Sequence, residues 1–212
     1  SLVGKKSDHL MAAASQHRRR GKIGSIHAFA LETVWYDLSG KEEGIPIGQL
    51  LGGKKTLRVE DYLSISEPTL QDFQNRLEQE DLGRKVVQLK LGMNSHNDDV
   101  DQVALALEKL PNLKTLLADA NGKWSVDEAG EVISKFDDSR LIWEEPCSLY
   151  EATMEVARLS GKPIMVDQCV GEVSLAKRAA DDGLVSALTI KPAYLGGLNI
   201  ARKVRDYCAA LG

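Results

Sequence analysis

Five residues with acid–base or metal-binding side chains recur at the ends of successive short apolar runs: Lys90, Asp119, Glu144, Asp167 and Lys191. Three of them are carboxylates carried by three consecutive runs. Oxygen-only ligands in that arrangement suit a hard cation, Mg²⁺ first and Mn²⁺ second. Zinc would call for His or Cys, and the four histidines, His9, His17, His27 and His96, stand at none of these positions. The two lysines flank the trio, Lys90 one run before it and Lys191 one run after. A lysine beside a metal in low dielectric loses its proton more easily and serves as a general base. The implied chemistry is removal of a proton next to a carboxylate, the cation stabilising the enolate that forms. A lone Asp or Lys ending a strand is usually a cap or a surface ion pair. Five in register on five consecutive runs are harder to explain that way.

The elements that must position these groups follow from the apolar pattern. Short runs at Leu57 to Ile65, Val86 to Leu91, Leu113 to Ala118, Leu141 to Trp143, Pro163 to Val166 and Val185 to Ile190 are each of a length for a strand buried on both faces. The stretches between them read as helices. Ser125 with Glu128, and Ser148 with Glu151, have capping-box spacing. Val100, Val103, Ala104 and Leu107 form an apolar stripe, and Gly161 should end the helix before Pro163. Strands alternating with helices at roughly 25 residues per unit predict an α/β fold, a TIM (β/α)-barrel of about six units. Eight units would need about 50 more residues than the chain supplies, so the barrel is expected to be incomplete. A doubly wound sheet is the competitor, but Ile65-Ser66-Glu67-Pro68 is no glycine-rich phosphate turn. Residues 1 to about 55 read as helical, with Gly40 expected to stop a helix and Gly52-Gly53 to mark the boundary. The expected domains are therefore 1–55, helical, and 56–212, the partial barrel.

Composition narrows the partners. The 212 residues carry a net charge of −4, without the basic excess of nucleic-acid or membrane-surface binders. His17-Arg18-Arg19-Arg20 reads as the solvated end of a helix. Three cysteines without Cys-x-x-Cys spacing fit a reducing cytoplasm.

At these residues the chain resembles the enolase superfamily, in its mandelate racemase and muconate lactonizing enzyme branch. The strings that carry the resemblance are Asp119-Ala120-Asn121, Trp143-Glu144-Glu145-Pro146, Val166-Asp167-Gln168 and Ile190-Lys191-Pro192. Trp35 to Lys41 and Gln49 to Gly53 resemble the family's segment joining cap to barrel, and Gly196-Gly197-Leu198 its turn after the sixth strand. The resemblance implies Mg²⁺ ligands at Asp119, Glu144 and Asp167, with Glu144 preferred to Glu145 as the first glutamate of its string. It implies catalytic lysines at Lys90 and Lys191, and places Gln88, Asn121, Glu145 and Gln168 against the substrate or around the metal site. It also implies that residues 1–55 are the helical remnant of an α+β capping domain, that the substrate is a small carboxylate, and that the full-length form is a homo-oligomer. Two positions depart from the family pattern: Gln88 stands where a lysine is usual, and Gln168 where a glutamate is common. Leu188 to Gly197 is similar to dehydratases of small hydroxy acids, the cis-3-hydroxy-L-proline dehydratase-like subgroup among them. Racemases, epimerases and cycloisomerases of the same superfamily are the alternatives. A Schiff-base aldolase using Lys191 and a non-catalytic fragment are the readings outside that chemistry. With capping strands and two barrel strands missing, the chain alone is expected to be poorly active or inactive.

Overall fold

The computed structural model describes residues 8–53, 60–79 and 85–211. The described residues gather into two compact units, one from residues 8–53, 170–181 and 190–211, the other from residues 60–79, 85–169 and 182–189.

The second unit is built on one six-stranded sheet. Its strands are β1 (Tyr62–Ile65), β2 (Val86–Lys90), β3 (Thr115–Asp119), β4 (Leu141–Glu144), β5 (Ile164–Val166) and β6 (Ala187–Leu188). They lie in sequence order and every pair is parallel. Sequential parallel order is that of a (β/α)-barrel; an open doubly wound sheet would reverse order at a switch point. The first strand is shorter than its apolar run, and Leu57 lies outside the described residues.

Helices α4 (Leu70–Gln79), α5 (His96–Lys109), α6 (Val126–Ile133) and α7 (Tyr150–Ser160) alternate with these strands. Their apolar faces and the strands form one core that includes Phe73, Val103, Leu116, Ile133, Trp143 and Ile164, each at most 2% exposed. In α5 the buried stripe runs through Val103 and Ala106; Ala104 is exposed, one position off the expected face. Local signals start these helices where they are strong. Ser125 accepts from the Glu128 amide while Glu128 reaches back to Ser125, and Ser95 with Asp98 forms a second such box. The expected box at Ser148 does not form. The helix-capping residue there is Leu149, with no side-chain cap, so α7 starts one residue later. Gly161 does end α7 in the left-handed region, as expected.

The first unit holds α1 (Asp8–Arg18), α2 (Gly21–Glu43), α3 (Ile47–Leu50), α8 (Val173–Asp181), α9 (Pro192–Leu195) and α10 (Leu198–Leu211). Gly40 does not stop α2. It lies inside the helix, where an added Cβ would stand 2.7 Å from the Ile45 carbonyl oxygen, so it permits a close backbone approach. The stop is Gly44, at φ 68°, whose amide bonds back to the Gly40 carbonyl. Glu32 on α2 is 1% exposed and ion-paired with Arg18 of α1. Its Oε2 also accepts the Asn199 amide at the start of α10, at 2.9 Å. The sequence signals nothing at Glu32, since a glutamate within a helix ordinarily faces water.

Candidate active site

Parallel register brings the key groups to one end of the sheet. Lys90 pairs with Asp119, and Asp119 pairs with Glu144. Each is the last residue of its strand, so β2, β3 and β4 deliver one charged group apiece to the same rim. Asp119 is 1% and Glu144 3% exposed. Lys90 is half-buried and ion-paired to Asp119 Oδ2. Asp167, buried at 7% exposure, follows β5 by one residue, and its charge reaches Glu144.

Gln88 lies two residues before Lys90, on the same face of β2. Its side-chain amide donates to Asp119 Oδ2 at 3.1 Å and to Glu144 Oε2 at 2.8 Å. Its oxygen accepts from the Ser64 hydroxyl at 2.9 Å, across the β1–β2 pair. Thr189 Oγ1 approaches Glu144 Oε1 at 3.5 Å. The Asn121 main-chain N–H donates to Asp119 Oδ1 at 2.8 Å, and Asn121 holds φ 49°.

Electrostatics reflect this crowding of carboxylates. Burial pushes the Glu144 carboxyl above its ordinary pKa, and the neighbouring charges of Asp119 and Asp167 push it the same way. Gln88 and Lys90 oppose the rise only partly. Glu145 is also raised, again chiefly by burial. It is 2% exposed with φ 46°. Its carboxylate accepts the main-chain amides of Asp167 at 2.7 Å and Cys169 at 2.5 Å. Glu145 therefore holds the backbone at the end of β5, while Glu144 meets Gln88 and the strand-end carboxylates. Non-glycine residues in the left-handed region cost energy and cluster at functional sites; Asn121 and Glu145 both follow site carboxylates.

The donor set has the chemistry of a hard-cation site: oxygen-only, buried, with three carboxylates and one ion-paired lysine. Among the described residues no group of three His, Cys, Asp or Glu side chains is gathered so as to hold a metal ion. The Gln88 amide bridges Asp119 and Glu144 instead. The set fits Mg²⁺ by ligand type and charge, and the carboxylates would have to turn from the amide to share one.

The remaining site residues of the sequence reading are Gln168, next to Asp167, and Lys191, in the other unit. Gln168 is exposed. Lys191 belongs to the first unit, where it precedes α9 and its Nζ lies 5.6 Å from the Tyr194 ring centroid.

Sequence reasoning missed Asp99 and Ser64. Asp99, on α5 and 2% exposed, accepts the Gly92 amide with both oxygens, at 3.0 and 3.1 Å, and the Trp124 indole N–H at 3.0 Å. It ties the loop after Lys90 to the loop after Asp119. Burial raises its pKa more than these bonds lower it. A raised carboxyl contributes stability below its unfolded value of about 3.9, and that contribution is lost as pH rises through the folded pKa. The melting temperature of Asp99→Asn minus that of the wild type should therefore rise as the pH is raised from about 4. A difference that stays flat as the pH rises would contradict the assignment.

A family model described as Enolase C-terminal domain-like matches residues 72–212. The chain belongs to the enolase superfamily. Its relatives include the cis-3-hydroxy-L-proline dehydratase of Roseibium aggregatum, 30% identical over 184 residues, covering 86% of this chain and 50% of that protein. Muconate cycloisomerase 1 of Pseudomonas putida is 27% identical, covering all of this chain and 58% of the relative. A solved enolase-superfamily structure from Roseovarius nubinhibens, complexed with magnesium, matches with a TM-score of 0.74 at 30% identity, over 84% of this chain and 48% of that one. This enolase-superfamily chain thus spans about half the length of the relatives it matches, and those relatives are lyases and isomerases. No helix among its described residues is long and apolar enough to cross a membrane.

Proposed function

We propose that the protein to which this chain belongs removes the α-proton of a small carboxylate through an enolate intermediate, with Mg²⁺ at Asp119, Glu144 and Asp167. The observation that carries the reading is the pair Asp119 and Glu144, both buried, in register at consecutive strand ends, with Lys90 held on Asp119. When bound, Mg²⁺ supplies positive charge for the substrate carboxylate and the enolate oxygen. Lys90 and Lys191 move the proton at the α-carbon. Glu145 keeps Asp167 in place through its main-chain amide, and the Asn121 amide keeps Asp119 turned inward. Gln88 and Gln168 are the positions where this chain departs from the family's charges, and they tune the same site.

The reaction is dehydration of a small hydroxy acid or hydroxy amino acid. The Roseibium relative supports cis-3-hydroxy-L-proline as the first substrate to assay. Residues 1–55 are the helical part of a capping domain and 56–212 part of the barrel. The full-length protein is a homo-oligomer of the cytoplasm, in keeping with three free cysteines. The test is α-proton exchange with solvent deuterium, followed by NMR on a panel of hydroxy and amino acids with Mg²⁺ and the full-length protein. Lys90→Ala and Lys191→Ala should each slow exchange by about 100-fold or more, while leaving Mg²⁺-dependent stabilisation intact. Exchange that survives in both variants removes the lysines as bases.

A further inference from the structure

Gln88 spends both of its amide hydrogens on two buried carboxylates, Asp119 and Glu144. The orientation is set by the two carboxylates, which only accept, and the Ser64 hydroxyl steadies it by donating to the amide oxygen. Turning the amide over would aim its oxygen at two carboxylates and its N–H₂ at Ser64, so the donor-inward state is strongly preferred. A neutral donor shared between two like charges relieves part of their repulsion and draws both toward itself. A cation that bridges the same two carboxylates needs the same lone pairs. We propose that Gln88 is a latch on the metal site, a positioning residue whose amide competes with the divalent cation for Asp119 and Glu144, with Ser64 setting the strength of that competition. This inference rests on the metal reading above.

The competition gives a sign that a merely supporting role would reverse. Gln88→Met keeps the length and apolar stem but removes both donors, so until a divalent cation arrives only Lys90 offsets the repulsion between Asp119 and Glu144. Mn²⁺ titrated into this chain, read by the loss of its free electron paramagnetic resonance signal, should bind Gln88→Met tighter than wild type by roughly tenfold or more. Ser64→Ala lets the amide swing away and should tighten Mn²⁺ by about threefold. Ser64 is exposed and its loss should leave the fold intact, which guards against Gln88→Met failing to fold. The same ranking should appear in the rise of melting temperature on adding Mn²⁺, which needs no substrate. If wild type binds Mn²⁺ and Gln88→Met or Ser64→Ala binds it equally or more weakly, the latch is wrong and the metal site stands. If wild type and both variants bind no Mn²⁺, the metal reading falls and takes the latch with it.

Discussion

Replacing Glu144 by Gln should have opposite effects on metal affinity and on the stability of the metal-free chain. The carboxyl is 3% exposed, and its pKa is raised by burial first and then by Asp119 and Asp167. Its ionised form therefore costs folding energy at neutral pH. Glutamine is isosteric and removes that charge, so without divalent cation the variant should melt higher than wild type. The same substitution takes one of three negative ligands from the proposed site. A charge pair at about 4 Å is worth roughly 4 kcal/mol at an effective dielectric of about 20, so affinity for Mg²⁺ or Mn²⁺ should fall by about 100-fold or more. Calorimetric titration together with thermal melts, with and without cation, reads both effects. Wild-type affinity in the variant would remove Glu144 from the ligand set. A lower metal-free melting temperature would mean that the Gln88 bond to Glu144 outweighs the repulsion.

The second large effect is on stability, and it lies in the first unit. Glu32→Ala strips Arg18 of its buried partner and leaves the Asn199 amide without its acceptor. Breaking a buried ion pair from one side costs about 3–5 kcal/mol, and Arg18 keeps 27% of its side chain exposed, which favours the low end, about 3 kcal/mol. Gly197→Ala should act on the same contact. It would place a Cβ 2.3 Å from Glu32 Oε2, at a backbone φ of 137° that L side chains rarely adopt. Chemical denaturation of each variant measures the loss. A change below about 1 kcal/mol for Glu32→Ala would show the pair to be replaceable by solvent.

The alternation of short apolar runs with amphipathic stretches made the strand–helix order readable, because those periods are local properties of the chain. It also marked Lys90, Asp119 and Glu144 as strand ends, and these are the last residues of β2, β3 and β4. Capping was legible where a box could close, as at Ser125, and misread at Ser148, where Leu149 takes the capping position and makes no side-chain bond. Gly40 and Gly44 look alike as letters. Only the fold shows that one admits a close backbone approach and the other ends the helix at positive φ.

By itself the sequence determined the α/β class, the order of its units and the charged rim, since periodicity and strand-end chemistry are written in consecutive residues. Tertiary structure alone decided that Gln88 joins Asp119 to Glu144, that Ser64 holds Gln88, that Asp99 ties two loops and that Glu32 is buried. Those partners stand 14 to 167 positions apart, apart from the Gly92 tie. No spacing rule links them, because parallel register and helix packing, and not chain proximity, bring them within hydrogen-bonding distance.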